Sequence, residues 1–279
     1  MLYGDAMTLR STTPPRFWSE LSTVDFGALD PARAIAVLPI AAIEQHGPHL
    51  PVGVDAMILD GVVARAAALT PPDLAPLFLP AQSLGVSTEH RDFSGTLTLS
   101  FDTATRMLAD IADSVARAGL RKLVLLNSHG GNSALLTQAA LEARARCGLL
   151  CVTASLARFG CPDGMFDADE LRHGIHGGAV ETSLMLALRP DLVDMAKARD
   201  FASRSRDFER DFKWLRADRP AGFGWMAQDL SPDGAMGDAG AATREKGEAV
   251  AARWAEAIVE LLDDVAAFDL SALRTPPTR

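Results

Sequence analysis

The stretch KLVLLNSHGGNSALLTQAALEARARCGLLCVTASL, residues 122–156, decides the fold. After its opening lysine, KLVLLN (122–127) is an apolar run too short for a helix, so it reads as a buried strand. Gly130 and Gly131 then let the backbone turn sharply into a helix expected from about Ser133 to Cys147. LLCVTASL (149–156) is a second strand-like run. Strand, helix and strand in this order form a crossover unit, and such units pair their strands in parallel.

The same alternation extends outward. AIAVLPI (34–40) reads as a fully buried strand, AMILDGVVARAAA (56–68) as a helix, and LAPLFLPAQ (74–82) as another strand. Phe101 to Ala118 carries Leu108, Ile111 and Val115 at helical spacing, and ETSLMLAL (181–188) is helical as well. Between them, residues 159–178 turn irregular and rich in glycine and acids, as an active-site loop does. Residues 200–240 show no clear period and are expected to cover the site or pack on a neighbouring subunit. The last helix, from about Arg244 to Phe268, spaces Val250, Trp254, Ile258, Leu261 and Val265 along one face, which makes Trp254 a core residue. The expected fold class is α/β, a mostly parallel sheet with helices on both faces. No repeat or break in composition divides the chain, so residues 1–279 are expected to form one domain, with residues 1–14 a frayed end.

Composition narrows the function. The chain has 279 residues and a net charge of −9, with 48% apolar residues. That is enough apolar material for a substantial core, and it excludes disorder and small disulfide scaffolds. An acidic balance repels phosphate backbones and anionic headgroups, so neither nucleic acid nor a membrane is an expected partner, and a small molecule is. Cys147, Cys151 and Cys161 form no paired motif, and no apolar run approaches the roughly 18 residues of a membrane span. The expected location is the cytoplasm.

All six histidines follow apolar runs in loops containing Gly or Pro. Within IEQHGPHLPVGVD (43–55), Glu44 and His46 project to one side of an extended segment, and the later glycines and prolines can fold Asp55 back toward them. A plainer reading makes Asp55 the cap of the following helix, but it leaves Glu44 and His46 unexplained. NSHGGN (127–132) places His129 beyond the carboxyl end of a strand, where open α/β sheets bind ligands. The glycines there could instead cradle a phosphate, yet neither nucleotide fingerprint occurs in the chain. HGIHGGAVETS (173–183) adds His176 and Glu181, the latter explicable also as a dipole partner at a helix start. Together Glu44, His46, Asp55, His129 and Glu181 form a nitrogen and oxygen set suited to two divalent ions such as Zn, Mn or Fe(II). Such a pair supports metal-assisted hydrolysis, with His176 left free for proton transfer.

EQHGPHLPVGVD (44–55), NSHGGN (127–132), HGGAVETS (176–183) and a weaker GAMGDAGAATREKG (234–247) resemble the creatininase (creatinine amidohydrolase) family, over about Val37 to Phe268. The resemblance implies a three-layer α/β/α domain. It also implies one metal on Glu44, Asp55 and His129 and a second on His46, Asp55 and Glu181. Water held between the ions would attack an amide-type carbonyl while His176 passes the proton to the leaving nitrogen. A homo-oligomer, commonly a hexamer in this family, is implied too. Two positions depart from creatininase proper. Arg172 stands where that enzyme has a tryptophan enclosing its flat substrate, and Gly131 stands where it has a glutamate. Trp214 or Trp225 could supply the missing aromatic, Arg172 could pair with an anionic group on a substrate, and Glu89 or His90 is expected to line the pocket. The family also holds a formamide hydrolase, a peptidase of a cofactor precursor and a hydrolase of an oxidised inositol. An amide hydrolase is therefore the main expectation, with a formamide, a short peptide or a cyclic ketone as alternative substrates. A non-catalytic metal-binding scaffold is the reading from another class.

Overall fold

The computed structural model describes residues 15–274, so the expectation for residues 1–14 lies outside the described residues. The strands of the main sheet are β1 (Ile35–Ile40), β2 (Pro76–Phe78), β3 (Lys122–Asn127) and β4 (Leu150–Ser155), ordered β2-β1-β3-β4. All three pairings are parallel, with Ile35 opposite both Pro76 and Lys122, and Lys122 opposite Leu150. Helices α1 (Val54–Leu69), α2 (Phe101–Arg117) and α3 (Ser133–Cys147) are the crossovers between strands. After β4 come α4 (Ala168–His173), α5 (Ala179–Leu188), α6 (Ser205–Asp211) and α7 (Arg244–Ala267).

Side-chain alternation along the strands builds two cores. Ile35, Val37, Val124 and Leu126 face one way and pack with α1, α5 and α7. Ala36, Leu38, Ile40, Leu123 and Leu125 face the other way and pack with α2 and α3. Burial on both faces is why β1 and β3 are apolar almost without interruption. Each Leu, Ile or Val so buried contributes about 1.5–3 kcal/mol, which outweighs the weak intrinsic strand preference of such short runs. Polar groups close the ends. Ser100 caps α2 by accepting from Thr103 N, Thr243 caps α7 by accepting from Lys246 N, and buried Lys122 donates from Nζ to Ala266 O at the far end of α7. The three-layer α/β/α expectation is met.

Two elements differ from their expected extents. The run 74–82 is a regular strand only at Pro76–Phe78 and rejoins β1 through a single bridge from Gln82 to Ile40, because Pro80 between them lacks an N–H and interrupts the ladder. The irregular stretch 159–178 contains α4, so His173 ends a helix instead of lying in a loop. Six residues give no room for a detectable helical period. Among the described residues, no helix is long and apolar enough to cross a membrane.

Candidate metal centre

The parallel sheet sends the carboxyl ends of β1 and β3 to one edge, and the site lies just beyond them. Glu44 and His46 lie on the loop that follows β1, and Glu44 N donates to Val52 O, which closes that loop. Gly47 turns the chain at φ +76° against Ala235, a conformation and a gap that exclude a Cβ. Asp55 lies in the first turn of α1, whose cap is Gly53, with no side-chain capping bond. The capping reading of Asp55 therefore fails. His129 follows β3 and is fixed by Asn127, whose Oδ1 accepts from His129 N and whose Nδ2 donates to His129 O. Glu181 enters from the first turn of α5, where its Oε2 accepts from Gly177 N at 2.6 Å.

These five residues converge, and Asp55 is common to two groups. Glu44, Asp55 and His129 bring ligand atoms within 4.8 Å of one another, as do His46, Asp55 and Glu181. Asp55 Oδ2 lies 3.8 Å from His46 Nε2 and 3.9 Å from His129 Nδ1, while Glu44 Oε1 is 3.2 Å from His129 Nδ1. A third group of the same compactness joins Glu44, His46 and His176.

Hydrogen bonds set which ring nitrogen carries the proton, because a carbonyl can only accept. His46 Nδ1 donates to Glu44 O at 3.0 Å, and His129 Nε2 donates to Val86 O at 3.0 Å. His46 Nε2 and His129 Nδ1 are then the ring nitrogens that face the cluster, the ones a metal ion would use. His176 Nε2 donates to Gln45 O at 2.6 Å, leaving Nδ1 facing Glu44 Oε1 at 3.6 Å. Gln45 Oε1 accepts from Gly47 N, so its Nε2 donates to His90 Nδ1 at 2.8 Å. His90 consequently carries its proton on Nε2, which lies 3.4 Å from Glu44 Oε1.

Burial and crowding shift every group. Burial works to raise the Glu44 pKa, but His129, His176 and His90 outweigh it and hold this carboxylate well below the usual range. Burial, and then the neighbouring Glu44, push Asp55 well up, and burial raises Glu181. His129 loses basicity by burial but gains more from Glu44 and Asp55, ending at about 10. Burial and His46 lower His176 to about 4.

The cluster floors a cavity of about 610 Å³. Glu89, His90 and Trp225 line it, together with His176 and the two metal-type trios except His46. Arg172 stands off this lining, exposed and paired with Glu209, and Trp214 is 63% exposed elsewhere. Trp254, expected in the core, is buried and donates from Nε1 to Gly160 O, yet one side also faces the cavity. Sequence reasoning passed over Glu170 and Asp218 in the lining, and Gln45 behind it. Glu170 accepts from Ala179 N and Asp238 N, and Gly174, Gly178 and Gly237 press against its carboxylate. That glycine cluster was the available signal.

Known proteins are similar to this chain. The creatininase family model, described as creatinine amidohydrolase, matches residues 19–262. A mycofactocin precursor peptide peptidase of Mycobacterium tuberculosis is 32% identical over 179 residues, 61% of this chain and 65% of that protein. This chain thus spans less than two thirds of that relative's length. Creatinine amidohydrolase of Pseudomonas putida is 30% identical over 236 residues, 77% of this chain and 84% of that protein. Among solved structures, a manganese creatininase superposes with a TM-score of 0.71 at 27% identity, covering 90% of this chain and 99% of the other. A mutant creatininase complexed with creatine gives 0.73 at 27% identity, with coverages of 90% and 99%.

Proposed function

The chain belongs to the creatininase family, and on that premise we propose that it is a hydrolase of a small amide or cyclic amide, dependent on two divalent metal ions. One observation carries this reading. Both carboxylate oxygens of Glu44, His46 Nε2 and Asp55 Oδ2 are buried and have no hydrogen-bond partner among the described residues. Native proteins leave few such atoms, and a buried polar atom without a hydrogen-bond partner costs about 1–3 kcal/mol, more when it is charged. Cations satisfy all four atoms together. Glu44, Asp55 and His129 would hold one ion, and His46, Asp55 and Glu181 the other, with Asp55 shared. The donor set suits Zn, Mn or Fe(II), and related creatininases have been solved in manganese and zinc forms.

When bound, such ions polarise a carbonyl and lower the pKa of water. The protein's own groups do the rest. Gln45 O orients the His176 ring, and the rings of His46 and His90 flank it with centroids 4.1 Å away on each side. Its low pKa keeps His176 neutral at pH 7, with Nδ1 free to take a proton and pass it to the leaving nitrogen. His90 places its Nε2 3.4 Å from Glu44 Oε1, an electrostatic contact that helps keep this carboxylate ionised. Replacing His176 with Ala is expected to lower turnover by about 10²–10⁴ while about two ions per chain remain. Loss of one ion would make His176 a ligand, as its place in the third trio allows.

The cavity constrains the substrate. Its described lining contains Glu89, Glu170 and Asp218 and no Lys or Arg, which favours neutral or cationic amides over anions. A volume of about 610 Å³ exceeds the need of a single small ring. Together with the likeness to a peptidase, it supports a short peptide amide as a second reading. A homo-oligomer belongs to the same proposal, since Phe212, Trp214 and Leu215 are exposed close in sequence to Trp225 of the cavity. Light scattering against the 29.7 kDa chain mass tests it. The test of function is elemental analysis combined with turnover of creatinine, formamides, hydantoins, lactams and short peptides on one sample. About two ions per chain and turnover of any amide support the proposal. Less than one ion after Zn or Mn is added would sink it, and two ions without turnover of any amide would favour the scaffold.

A further inference from the structure

Position 131 and Glu89 occupy one space. A Cβ on Gly131 would collide with Glu89 Oε1, and it would also lie 2.5 Å from His129 Nε2 and 2.6 Å from Val86 O. The turn after β3 therefore carries no side chain here, and the carboxylate of Glu89 fills the place from the opposite loop. That loop wraps the outer nitrogen of His129. Val86 O lies 3.0 Å from Nε2, Ser87 Oγ 3.5 Å and Glu89 Oε1 3.8 Å, all on the ring edge opposite the Nδ1 that faces Glu44 and Asp55. Val86 fixes the tautomer, and Glu89 adds a negative charge, three-quarters or more buried, behind the ring. Charge placed behind a ligating imidazole strengthens its lone pair as a donor. The His46 side has a different arrangement, since His46 Nδ1 meets only the carbonyl of Glu44.

Resting on the two-ion reading above, we propose that Glu89 is a positioning residue for the Glu44–Asp55–His129 metal position, and that it makes this position the tighter of the two. The first ion to arrive would then settle beside His129.

The test uses the full chain, stripped of metal and titrated with Mn²⁺ by calorimetry and electron paramagnetic resonance. Wild type should fill in two steps. Glu89→Gln should weaken one step by about 10–100-fold, and Glu89→Asp should recover part of that loss. To assign the step, the substitution is repeated in two single-position backgrounds. In His46→Ala, Glu89→Gln should weaken the remaining ion by the same 10–100-fold factor. In His129→Ala it should change affinity by less than about threefold. Equal weakening in both backgrounds would overturn the proposal in favour of a diffuse charge effect, and no weakening in either would make Glu89 only a cavity wall. Wild type that binds a single ion would defeat the two-ion reading itself, an outcome visible before any Glu89 variant is measured. Melting curves of the metal-free variants confirm that each is folded.

Discussion

His129 holds the sharpest electrostatic conflict of the site. In the metal-free protein it sits between Glu44 at 3.2 Å and Asp55 at 3.9 Å, and those carboxylates overcome burial and lift it to about 10. A metal ion needs the same Nδ1 lone pair that this proton occupies. Below pH 10 the imidazole must therefore lose its proton as the ion enters. The sign follows, with apparent affinity rising as pH rises toward 10, by about tenfold per unit for each proton displaced. Calorimetric titration at pH 7.5 in two buffers of different ionisation enthalpy should show release of about one proton or more per chain. No release would mean that His129 is neutral in the free protein. The residue types of this cluster were legible in the sequence, because His and carboxylates after strand ends are few and spaced at Glu44, His46, Asp55 and His129. Their protonation was not legible. It depends on the backbone carbonyls of Glu44, Gln45 and Val86, and a carbonyl has no identity in a sequence. His90 and His176 looked alike as loop histidines, and only their contacts with Gln45 put the proton of one on Nε2 facing Glu44 and leave the Nδ1 of the other a free base.

Elements position the ligands through close contacts that tolerate little change. α5 and α7 meet at Gly247, where any Cβ would overlap the backbone carbonyl of Ser183. A backbone atom cannot swing aside as a side chain can, so Gly247→Ala must push the helices apart, at about 3 kcal/mol. The unfolding free energy from urea titration should fall by that amount, through a lower midpoint at an unchanged slope. Ser183 is two residues beyond Glu181, so the displacement should weaken the His46–Asp55–Glu181 position while the Glu44–Asp55–His129 position keeps its affinity. Equal stability of wild type and variant would show that the helices part at no cost. β1, β3 and α7 were legible to within a residue or two, because continuous apolar runs and three- and four-residue spacing report burial directly. α4 and the segment around α6 were not legible. Their order depends on distant partners, such as Ser205 Oγ bonded to His173 Nδ1 and Glu170 held by Ala179 N and Asp238 N.

At the scale of the molecule, a chain of net charge −9 gathers Glu44, Asp55, Glu89 and Glu181 at one edge of its sheet. Folding thus concentrates like charges in a place that water barely reaches, and the metal-free fold bears the repulsion. Binding two ions to the folded state alone removes it by mass action, with each ion adding about 2.7 kcal/mol at one hundred times its dissociation constant. A domain of this size gains roughly 2–4 °C per kcal/mol. Chelation should therefore lower Tm by about 10–20 °C, and Zn or Mn should restore it, as scanning calorimetry can follow. A neutralising substitution separates this account from a general loosening. Asp55→Asn removes a buried acid shared by both positions, whose ionisation burial and Glu44 oppose, so the metal-free variant should melt above the metal-free wild type while losing most of the gain from added ions. The cluster then destabilises the empty fold and stabilises the loaded one, the pattern of a site shaped for binding at a cost to the scaffold. A metal-free protein as stable as the loaded one would mean that shared protons already satisfy these carboxylates, and the case for two ions would lose its physical basis.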